Sequence, residues 1–316
     1  MSEGPPPGRR IVFFGSAAFS LPALRALCAG PDEVVLTVTA PPAPAGRGQK
    51  PAPTPPALFA AEKGLELLES RSARSPEIIE RIAAARPDFL VVAAFGGFLP
   101  EQLLRLCPSP PLNIHPSLLP RHRGPAPVNW ALMQGDRELG VSIIFLDKEM
   151  DAGPILSQRA FSAAGAVGAG LWEARLAEAG AEELLKVIAA LKEGNARPRP
   201  QAAALATVNR LLRKADGRID WRRLGSQLAG LINGVDPWPG AQTSCRGRSI
   251  KLFEASPAPG DAAAEPGRVL GLDGAGALKI AALDGEAAAV RALQPEGKKR
   301  LTAADFIRGY KPEIFV

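Results

Sequence analysis

The sequence predicts an α/β protein with two domains: a doubly wound, Rossmann-like parallel-sheet domain, followed by a C-terminal β-barrel domain that is OB-like. Three observations support this. The chain has 316 residues, about twice the usual ~150 residues of one domain. Its first half alternates strand-like and helix-like segments, as parallel sheets covered by helices do. Its last third has short apolar segments separated by Gly, Pro and Asp, which is typical of small barrels.

The alternation in the first half can be assigned element by element. Strands are expected at 10–15, 34–39, 65–68, 89–94, 112–115 and 141–146, and helices near 19–28, 58–63, 76–85 and 100–106. Residues 172–191 have apolar side chains at helical spacing, so a long helix closes this domain. The polar segment 192–203, which contains glycine and proline, is expected to be a linker.

The second domain is expected to follow this linker, so the predicted domains are 1–204 and 205–316. Its elements are one helix at 224–232 and strands within 242–255 and at 268–272, 277–282 and 287–293.

The excess of positive over negative charge lies mainly in the C-terminal third of the chain. Lys and Arg total 38 against 32 Asp and Glu, a net charge of +6. Residues 205–316 hold 17 basic and 12 acidic residues, whereas residues 1–204 hold 21 and 20. This excess is explained either by a polyanionic partner such as nucleic acid or by an ordinary basic surface.

The cysteines and the apolar runs of the sequence indicate the compartment in which the protein is expected. The three cysteines are widely spaced and form no CxxC pair, which argues against a disulfide framework or a zinc site and favours a reducing, cytoplasmic compartment. We therefore expect no bound metal. No apolar run approaches the ~20 residues that span a bilayer, and no signal peptide is recognisable at the N-terminus. A cytoplasmic protein without membrane contact is expected.

The most informative local pattern is Asn113-Ile114-His115-Pro116 at the end of a predicted strand. Side chains two apart on a strand share a face, so Asn113 and His115 are expected to lie together at the carboxyl edge, where open α/β sheets bind ligands. A lone histidine is more often structural than catalytic, so the pattern needs further support.

Asp151 provides that support. It follows the strand 141–146 and lies at the same sheet edge if that strand is parallel to its neighbours. A carboxylate orients an imidazole and favours its charged form, and a nearby amide can bind a developing oxyanion. Together the three side chains suit acyl-type transfer without a covalent intermediate. The alternative for Asp151 is a turn cap before Gly153.

Two common cofactor classes are disfavoured. The FFGSAAF turn after the first strand contains no GxGxxG, and no acidic residue follows the second strand where a ribose would be held. The sequence contains no Walker motif. Neither nicotinamide chemistry nor ATP binding therefore has support.

Longer motifs carry a specific resemblance. The segment NIHPSLLPRHRGPAPVNWAL and, about thirty residues later, DKEMDAGPIL resemble the folate-dependent formyltransferases. Further segments match in order and spacing the members of that family that act on methionyl-tRNA: PAGRGQKPAPTPPALFAAEKGL, ATVNRLLRKADGRIDW, NGVDPWPGAQT and LQPEGKKRLTAADFIRG. The resemblance covers essentially the whole chain.

The resemblance implies transfer of the formyl group of 10-formyltetrahydrofolate to the α-amino group of methionyl initiator tRNA. Asn113 and a protonated His115 are expected to stabilise the oxyanion. Asp151 is expected to hold the imidazolium and to help relay the amine proton through water. The folate pocket is expected to be lined by Ser117, Leu118, Leu119, Pro120, Phe95, Gly96, Phe98 and Leu99, although the two leucines are otherwise ordinary core residues.

The tRNA is expected to contact two basic segments. Arg47 and Lys50 lie in the Gly- and Pro-rich segment 40–56, which corresponds to a loop inserted in the tRNA-specific members and suits phosphate contacts. Lys298, Lys299 and Arg300 lie in the basic second domain and are expected to add phosphate contacts. His122 is expected at the surface or near tRNA, and Trp238 in the barrel packing.

The sequence departs from the family pattern at Ala40, Pro42, Phe95 and Val208, which leaves details of the folate and tRNA contacts open. Other functions compatible with the fold are formyl transfer to an amino sugar nucleotide, hydrolysis of 10-formyltetrahydrofolate, and tRNA binding without catalysis. The absence of a dehydrogenase-like continuation disfavours the first two, and the intact Asn113, His115 and Asp151 disfavour the third. A monomer is expected.

Overall fold

The computed structural model describes residues 8–45, 50–165 and 167–316. The chain groups into two compact units. The first contains Met1–Arg123, Gly140–Ala160 and Ala174–Thr207; the second contains Gly124–Leu139, Phe161–Glu173 and Val208–Val316. Three separate stretches of chain thus build the second unit. A domain boundary after residue 204 stays a prediction.

The strands, in chain order, are β1 (Arg10–Gly15), β2 (Glu33–Thr39), β3 (Ala43–Ala45), β4 (Lys50–Ala52), β5 (Leu67–Glu69), β6 (Phe89–Ala93), β7 (Leu112–His115), β8 (Glu138–Phe145), β9 (Ile155–Ser162), β10 (Ala241–Cys245), β11 (Arg248–Pro259), β12 (Val269–Leu272), β13 (Leu278–Ala281), β14 (Glu286–Pro295) and β15 (Leu301–Thr302). The α-helices are α1 (Leu21–Ala29), α2 (Pro55–Lys63), α3 (Pro76–Ala84), α4 (Glu101–Leu104), α5 (Pro127–Met133), α6 (Ala169–Lys192), α7 (Gly225–Gly234) and α8 (Ala303–Tyr310).

A seven-stranded sheet, in the order β5-β2-β1-β6-β7-β8-β9, forms the frame of the N-terminal part of the chain. Strands β1, β2, β5, β6 and β7 pair in parallel. Strand β1 lies in the interior because its run of apolar residues is buried on both faces, as parallel strands require. Two of the helices that follow strands start with a hydroxyl cap: Thr54 accepts from the third residue of α2, and Ser75 does so for α3.

Strand β8 departs from the parallel pattern. It pairs antiparallel with β7, with Leu112 opposite Phe145 and His115 opposite Ser142. The loop that follows β8 therefore begins beside the start of β7. The prediction that 141–146 is parallel to its neighbours and thereby brings Asp151 to the carboxyl edge is wrong. The apolar pattern of 141–146 is compatible with either strand direction, so the sequence of the strand does not decide it.

The second unit is built on an antiparallel sheet in the order β10-β11-β14-β13-β12, with β15 beside β14. Its core contains Phe306, Phe315 and Trp221, which are buried against one another and against α7. The last residues of the chain connect the two outer strands, because Val316 exchanges backbone hydrogen bonds with Ser244 while Phe315 bonds Gly267.

The predicted fold class is confirmed: a Rossmann-like parallel-sheet domain and an antiparallel C-terminal sheet domain. The segment 242–255 forms two strands, because Arg246 and Gly247 have positive φ and make a turn between them. Elements α5, β9 and α8 were not expected. Within residues 8–45, 50–165 and 167–316, no helix has both the length and the apolar character needed to cross a bilayer.

Candidate active site

Strand β7 places Asn113 and His115 on one face. Both side chains are almost completely buried, with 9% and 5% of their surface exposed. Ile114 points the opposite way, toward helix α6, where a Cβ on Gly180 would lie 2.6 Å from its Cγ2 atom. The strand is thus anchored on its apolar side, and the alternation predicted from Asn113 to His115 is confirmed.

Asp151 reaches these two side chains from the loop between β8 and β9. Its Oδ1 accepts from Nδ2 of Asn113 at 3.3 Å, and its Oδ2 lies 3.5 Å from Nδ1 of His115. The loop leaves β8 beside the start of β7, where Leu146 N–H donates to Pro111 at 2.7 Å. Asp151 itself has φ of 51°, a left-handed conformation that is uncommon outside glycine.

The second ring nitrogen of His115 is also engaged. Nε2 lies 2.9 Å from the backbone carbonyl oxygen of His122. Since a carbonyl can only accept, Nε2 carries a hydrogen. Both ring nitrogens therefore face oxygen atoms, and the ring lies between the Asp151 carboxylate and the His122 carbonyl.

His122 is 2% exposed, so the expectation that it lies at the surface is wrong. It has φ of 59°, and its N–H donates to Oγ1 of Thr207 at 2.8 Å. These contacts turn its carbonyl toward His115. The backbone of His122 therefore contributes to the position of the His115 ring.

The turn after β7 holds four residues predicted to line the folate pocket, namely Ser117, Leu118, Leu119 and Pro120. Much of its polar backbone is bonded within the protein. The Ser142 hydroxyl donates to the Ser117 carbonyl at 2.6 Å, and the Leu119 N–H donates to that hydroxyl at 3.2 Å. The Ser117 hydroxyl donates to the Arg121 carbonyl at 2.8 Å. The turn is therefore held by hydrogen bonds within the protein, and its contact with folate stays a prediction.

The apolar side chains of the predicted folate pocket differ in exposure. Leu119 is buried against Ile144 and Ile155. Phe95 is buried edge-on to Phe14, with ring centroids 5.3 Å apart. Their side chains belong to the core, so any ligand contact falls to their backbone.

The remaining members of this set are more accessible. Leu118 and Pro120 are half-buried, and the peptide bond between Leu119 and Pro120 is cis. Gly96 is exposed with φ of 81°, and Leu99 is half-buried against the sheet core. Phe98 is 52% exposed, so of this set it presents the largest free apolar surface.

The predicted tRNA contacts in the N-terminal region fall on the segment with strands β3 and β4. Arg47 lies outside the described residues. Lys50 is the first residue of β4 and is exposed. Its role stays a prediction.

The predicted tRNA contacts of the second unit are not equivalent. Lys298 and Lys299 are exposed. The Arg300 guanidinium lies 3.6 Å above the ring centroid of Phe253 and forms ion pairs with Asp236 and Glu254 at 3.3 and 3.5 Å. Its charge is therefore already balanced within the protein, and Lys298 and Lys299 are better placed to meet phosphate.

The structure corrects one expectation about the second unit and adds two residues to the surroundings of the site. Trp238 is 52% exposed, so the expectation that it packs within the barrel is wrong. Gln201 and Thr207 contact the loops around His115 and Asp151. Thr207 lies in the segment ATVNRLLRKADGRIDW, but no contact with these loops was expected of it, and no sequence pattern pointed to Gln201. They come from an irregular stretch that is separated from its partners by tens of residues.

The cysteines are poor candidates for a covalent mechanism. Burial, together with the nearby Asp88 carboxylate, raises the pKa of the Cys107 thiol to about 11. Burial also raises the pKa of Cys28 and of Cys245. Thiols of this kind remain protonated at neutral pH and are weak nucleophiles. Among the described residues, no group of three or more His, Cys, Asp or Glu side chains is placed to hold a metal ion.

Two family profiles match most of the chain. The profile described as "Formyl transferase" matches residues 9–188, and "Formyl transferase, C-terminal domain" matches residues 211–311. A methionyl-tRNA formyltransferase of Desulfotalea psychrophila is 42% identical over 304 residues, 96% of this chain and 93% of that protein. The chain belongs to the methionyl-tRNA formyltransferase family. It is therefore a transferase.

Other members and solved structures fit this family assignment. A methionyl-tRNA formyltransferase of Geobacter metallireducens is 37% identical over 313 residues, 97% of each chain. The structure of the methionyl-tRNA formyltransferase from Clostridium thermocellum has a TM-score of 0.53 at 13% identity and covers 78% of this chain and 93% of that one. HypX from Aquifex aeolicus, solved with tetrahydrofolic acid, has a TM-score of 0.59 at 22% identity and covers 95% of this chain and 47% of that one. These structural similarities concern the fold.

Proposed function

We propose that this protein transfers the formyl group of 10-formyltetrahydrofolate to the α-amino group of methionine esterified to initiator tRNA. The observation that carries the proposal is the convergence of the Asn113 amide and the His115 imidazole on the Asp151 carboxylate. The similarity to methionyl-tRNA formyltransferases over almost the whole chain supports the choice of both substrates.

In the proposed reaction the neutral amine attacks the formyl carbon directly. A new C–N bond forms, the formyl oxygen takes the negative charge, and the bond from the formyl carbon to folate N10 then breaks. The amine loses one proton and N10 gains one, so the reaction is balanced without a covalent enzyme intermediate. The protein needs to stabilise the oxyanion and to move this proton.

Asn113 and His115 are suited to the oxyanion. The Asn113 amide has two N–H donors, and one of them reaches Asp151, so the second can be directed to the formyl oxygen. The 3.5 Å separation of His115 Nδ1 and Asp151 Oδ2 exceeds a normal N–H···O distance of about 2.7–3.2 Å, so in this proposal the Nδ1–H can donate to an incoming oxyanion without rotation of the ring.

Asp151 has two tasks in this proposal. Its charge holds the imidazolium, and its carboxylate receives the amine proton through a water molecule and returns it toward N10. The His122 carbonyl keeps the opposite side of the imidazole fixed, so the ring does not rotate when Nδ1 changes partner.

Binding of tRNA is proposed to rest on cations that meet phosphate. Lys298 and Lys299 are exposed in the basic second unit, and Lys50 is exposed on β4. Arg47 is included on the basis of the sequence resemblance alone. Arg300 has a supporting role because its charge is paired internally. We further propose a monomeric, cytoplasmic enzyme.

The test is an acceptor panel with the wild-type protein and 10-formyltetrahydrofolate. We expect formyl-methionine to form on methionyl initiator tRNA, with much slower transfer to methionyl elongator tRNA. Release of tetrahydrofolate in the absence of any acceptor would indicate a hydrolase. Faster transfer to an amino sugar nucleotide would overturn the proposed acceptor while leaving formyl transfer intact.

A further inference from the structure

The segment 199–207 lies against both loops of the proposed active site. Its first residue, Arg199, exchanges two backbone hydrogen bonds of 2.8 Å with Ile155 at the start of β9. Its last residue is Thr207. The Thr207 hydroxyl oxygen accepts from the N–H of His122, and the Thr207 carbonyl oxygen accepts from the N–H of Arg123. The segment is therefore fixed at both ends.

Gln201, within this segment, holds the loop that carries Asp151. Its side-chain nitrogen donates to the carbonyl oxygens of Asp151 and Gly153 at 2.7 and 2.8 Å. Asp151 has a left-handed φ of 51°, and a non-glycine residue keeps such a conformation only where its surroundings hold it. Gln201 supplies two hydrogen bonds on this loop.

The other end of the same side chain reaches the loop that orients His115. Oε1 of Gln201 accepts from Nε and Nη2 of Arg123 at 3.0 and 2.8 Å. Arg123 directly follows His122, whose carbonyl oxygen lies 2.9 Å from Nε2 of His115. One amide group thus ties the loop that supplies the carboxylate to the loop that fixes the imidazole.

Both hydrogens of the Gln201 amide and its oxygen are used in these contacts, which makes the side chain specific for this place. A glutamate has the same shape and an acceptor for Arg123 but no N–H to donate. It would also set a negative charge against two carbonyl oxygens. An alanine removes both connections.

We propose that Gln201 is a positioning residue for formyl transfer, which sets the distance between Asp151 and His115 by joining their two loops. This inference rests on the proposed function of Asn113, His115 and Asp151. Misplacement of a reacting group by 1 Å costs about 10²-fold in rate. Loss of the Gln201 hydrogen bonds is therefore expected to lower the rate of formyl transfer, even though Gln201 touches no reacting atom.

The first test compares Gln201→Glu and Gln201→Ala with Gln102→Ala, a matched change of an exposed glutamine on α4. We expect both Gln201 variants to lower kcat by about 10–100-fold, with KM for tRNA and for the formyl donor within about twofold. Gln102→Ala should behave as wild type. Wild-type kcat in both Gln201 variants would overturn the inference.

The second test separates positioning from a general structural role. Gln201→Glu is added to Asp151→Asn and to His115→Ala. If Gln201 acts through Asp151 and His115, adding Gln201→Glu to Asp151→Asn or to His115→Ala should cause no further loss of kcat. Full additivity, or a loss of kcat that follows a lower Tm, would count against positioning. If His115→Ala alone keeps wild-type activity, the catalytic role proposed for His115 fails instead, and the two failures are distinguished.

A third measurement does not depend on activity. The chain has only two histidines, so a ¹⁵N-histidine-labelled sample shows two imidazole rings by NMR, and His122→Ala assigns them. We expect Gln201→Glu to shift the His115 ring resonances and Gln102→Ala to leave them unchanged. Identical His115 spectra in Gln201→Glu and wild type would refute the proposed brace.

Discussion

Substitution of Gly153 by alanine tests how finely the Asp151 loop must be placed. A Cβ at this position would lie 1.9 Å from the carbonyl oxygen of Phe145, whereas real Cβ contacts essentially never fall under 3.0 Å. The two groups must separate by about 1 Å. Phe145 is held opposite Leu112 in the sheet, so the loop rather than the strand is expected to move.

The displacement acts on the carboxylate two residues away. Gly153 and Asp151 both accept from the Gln201 amide, so a shift of one carbonyl strains the contact to the other. The Asp151 carboxylate already lies 3.5 Å from His115 Nδ1, and moving it by about 1 Å would separate the pair. Such a misplacement corresponds to about a 10²-fold loss of kcat.

The assay is the initial rate of formyl-methionine formation with both substrates saturating, together with the Tm of each variant. Gly274→Ala is the control, because a Cβ there has nothing within 4 Å and the residue does not have a positive φ. We expect Gly153→Ala to lose about two orders of magnitude in kcat while its Tm falls by only a few degrees. A Gly153→Ala variant with unchanged kcat would refute the claim that the loop position governs the chemistry.

Three further outcomes are expected. Asn113→Ala should lower kcat by about 10²–10³-fold, the effect of losing one oxyanion donor; a rate within twofold of wild type would contradict its role. Changing Lys298 and Lys299 together to glutamate should weaken tRNA binding and reduce the salt slope of log Kd by about one unit per lost phosphate contact, with folate affinity unchanged; an unaltered slope would exclude both contacts. Asp216→Asn should lower Tm more at pH 7 than at pH 3: the Arg210 hydrogen bond lowers the pKa of Asp216, so its stabilisation is fully present above the ordinary value and is lost progressively as pH falls through the lowered pKa. An equal difference at both pH values would argue against this ion pair.

The parts of the fold that could be predicted from the sequence are those decided by local pattern. Strands β1 and β7 begin and end where their apolar runs indicate. The placement of Asn113 and His115 on one face follows from the two-residue repeat of a strand alone. Long helices such as α6 can be predicted equally well, because their apolar spacing extends over many turns.

The parts that could not be predicted depend on contacts between distant residues. The direction of β8 is decided by its pairing with β7, and its own residues are compatible with either direction. Gln201 bonds atoms 48–78 residues away, and no periodicity marks it. Arg300 belongs to a basic run, yet Asp236 and Glu254 come to it only in the folded chain. The functional use of a polar side chain is therefore visible mainly where its partners are local.

We propose that His115, held between Asp151 and the His122 carbonyl, stabilises the transition state of formyl transfer. The most direct test is the single-turnover rate of His115→Ala with methionyl initiator tRNA prebound and 10-formyltetrahydrofolate saturating. We expect a loss of at least ~10²-fold, with the Kd for tRNA and the Tm close to wild type. A single-turnover rate within about twofold of wild type would contradict it.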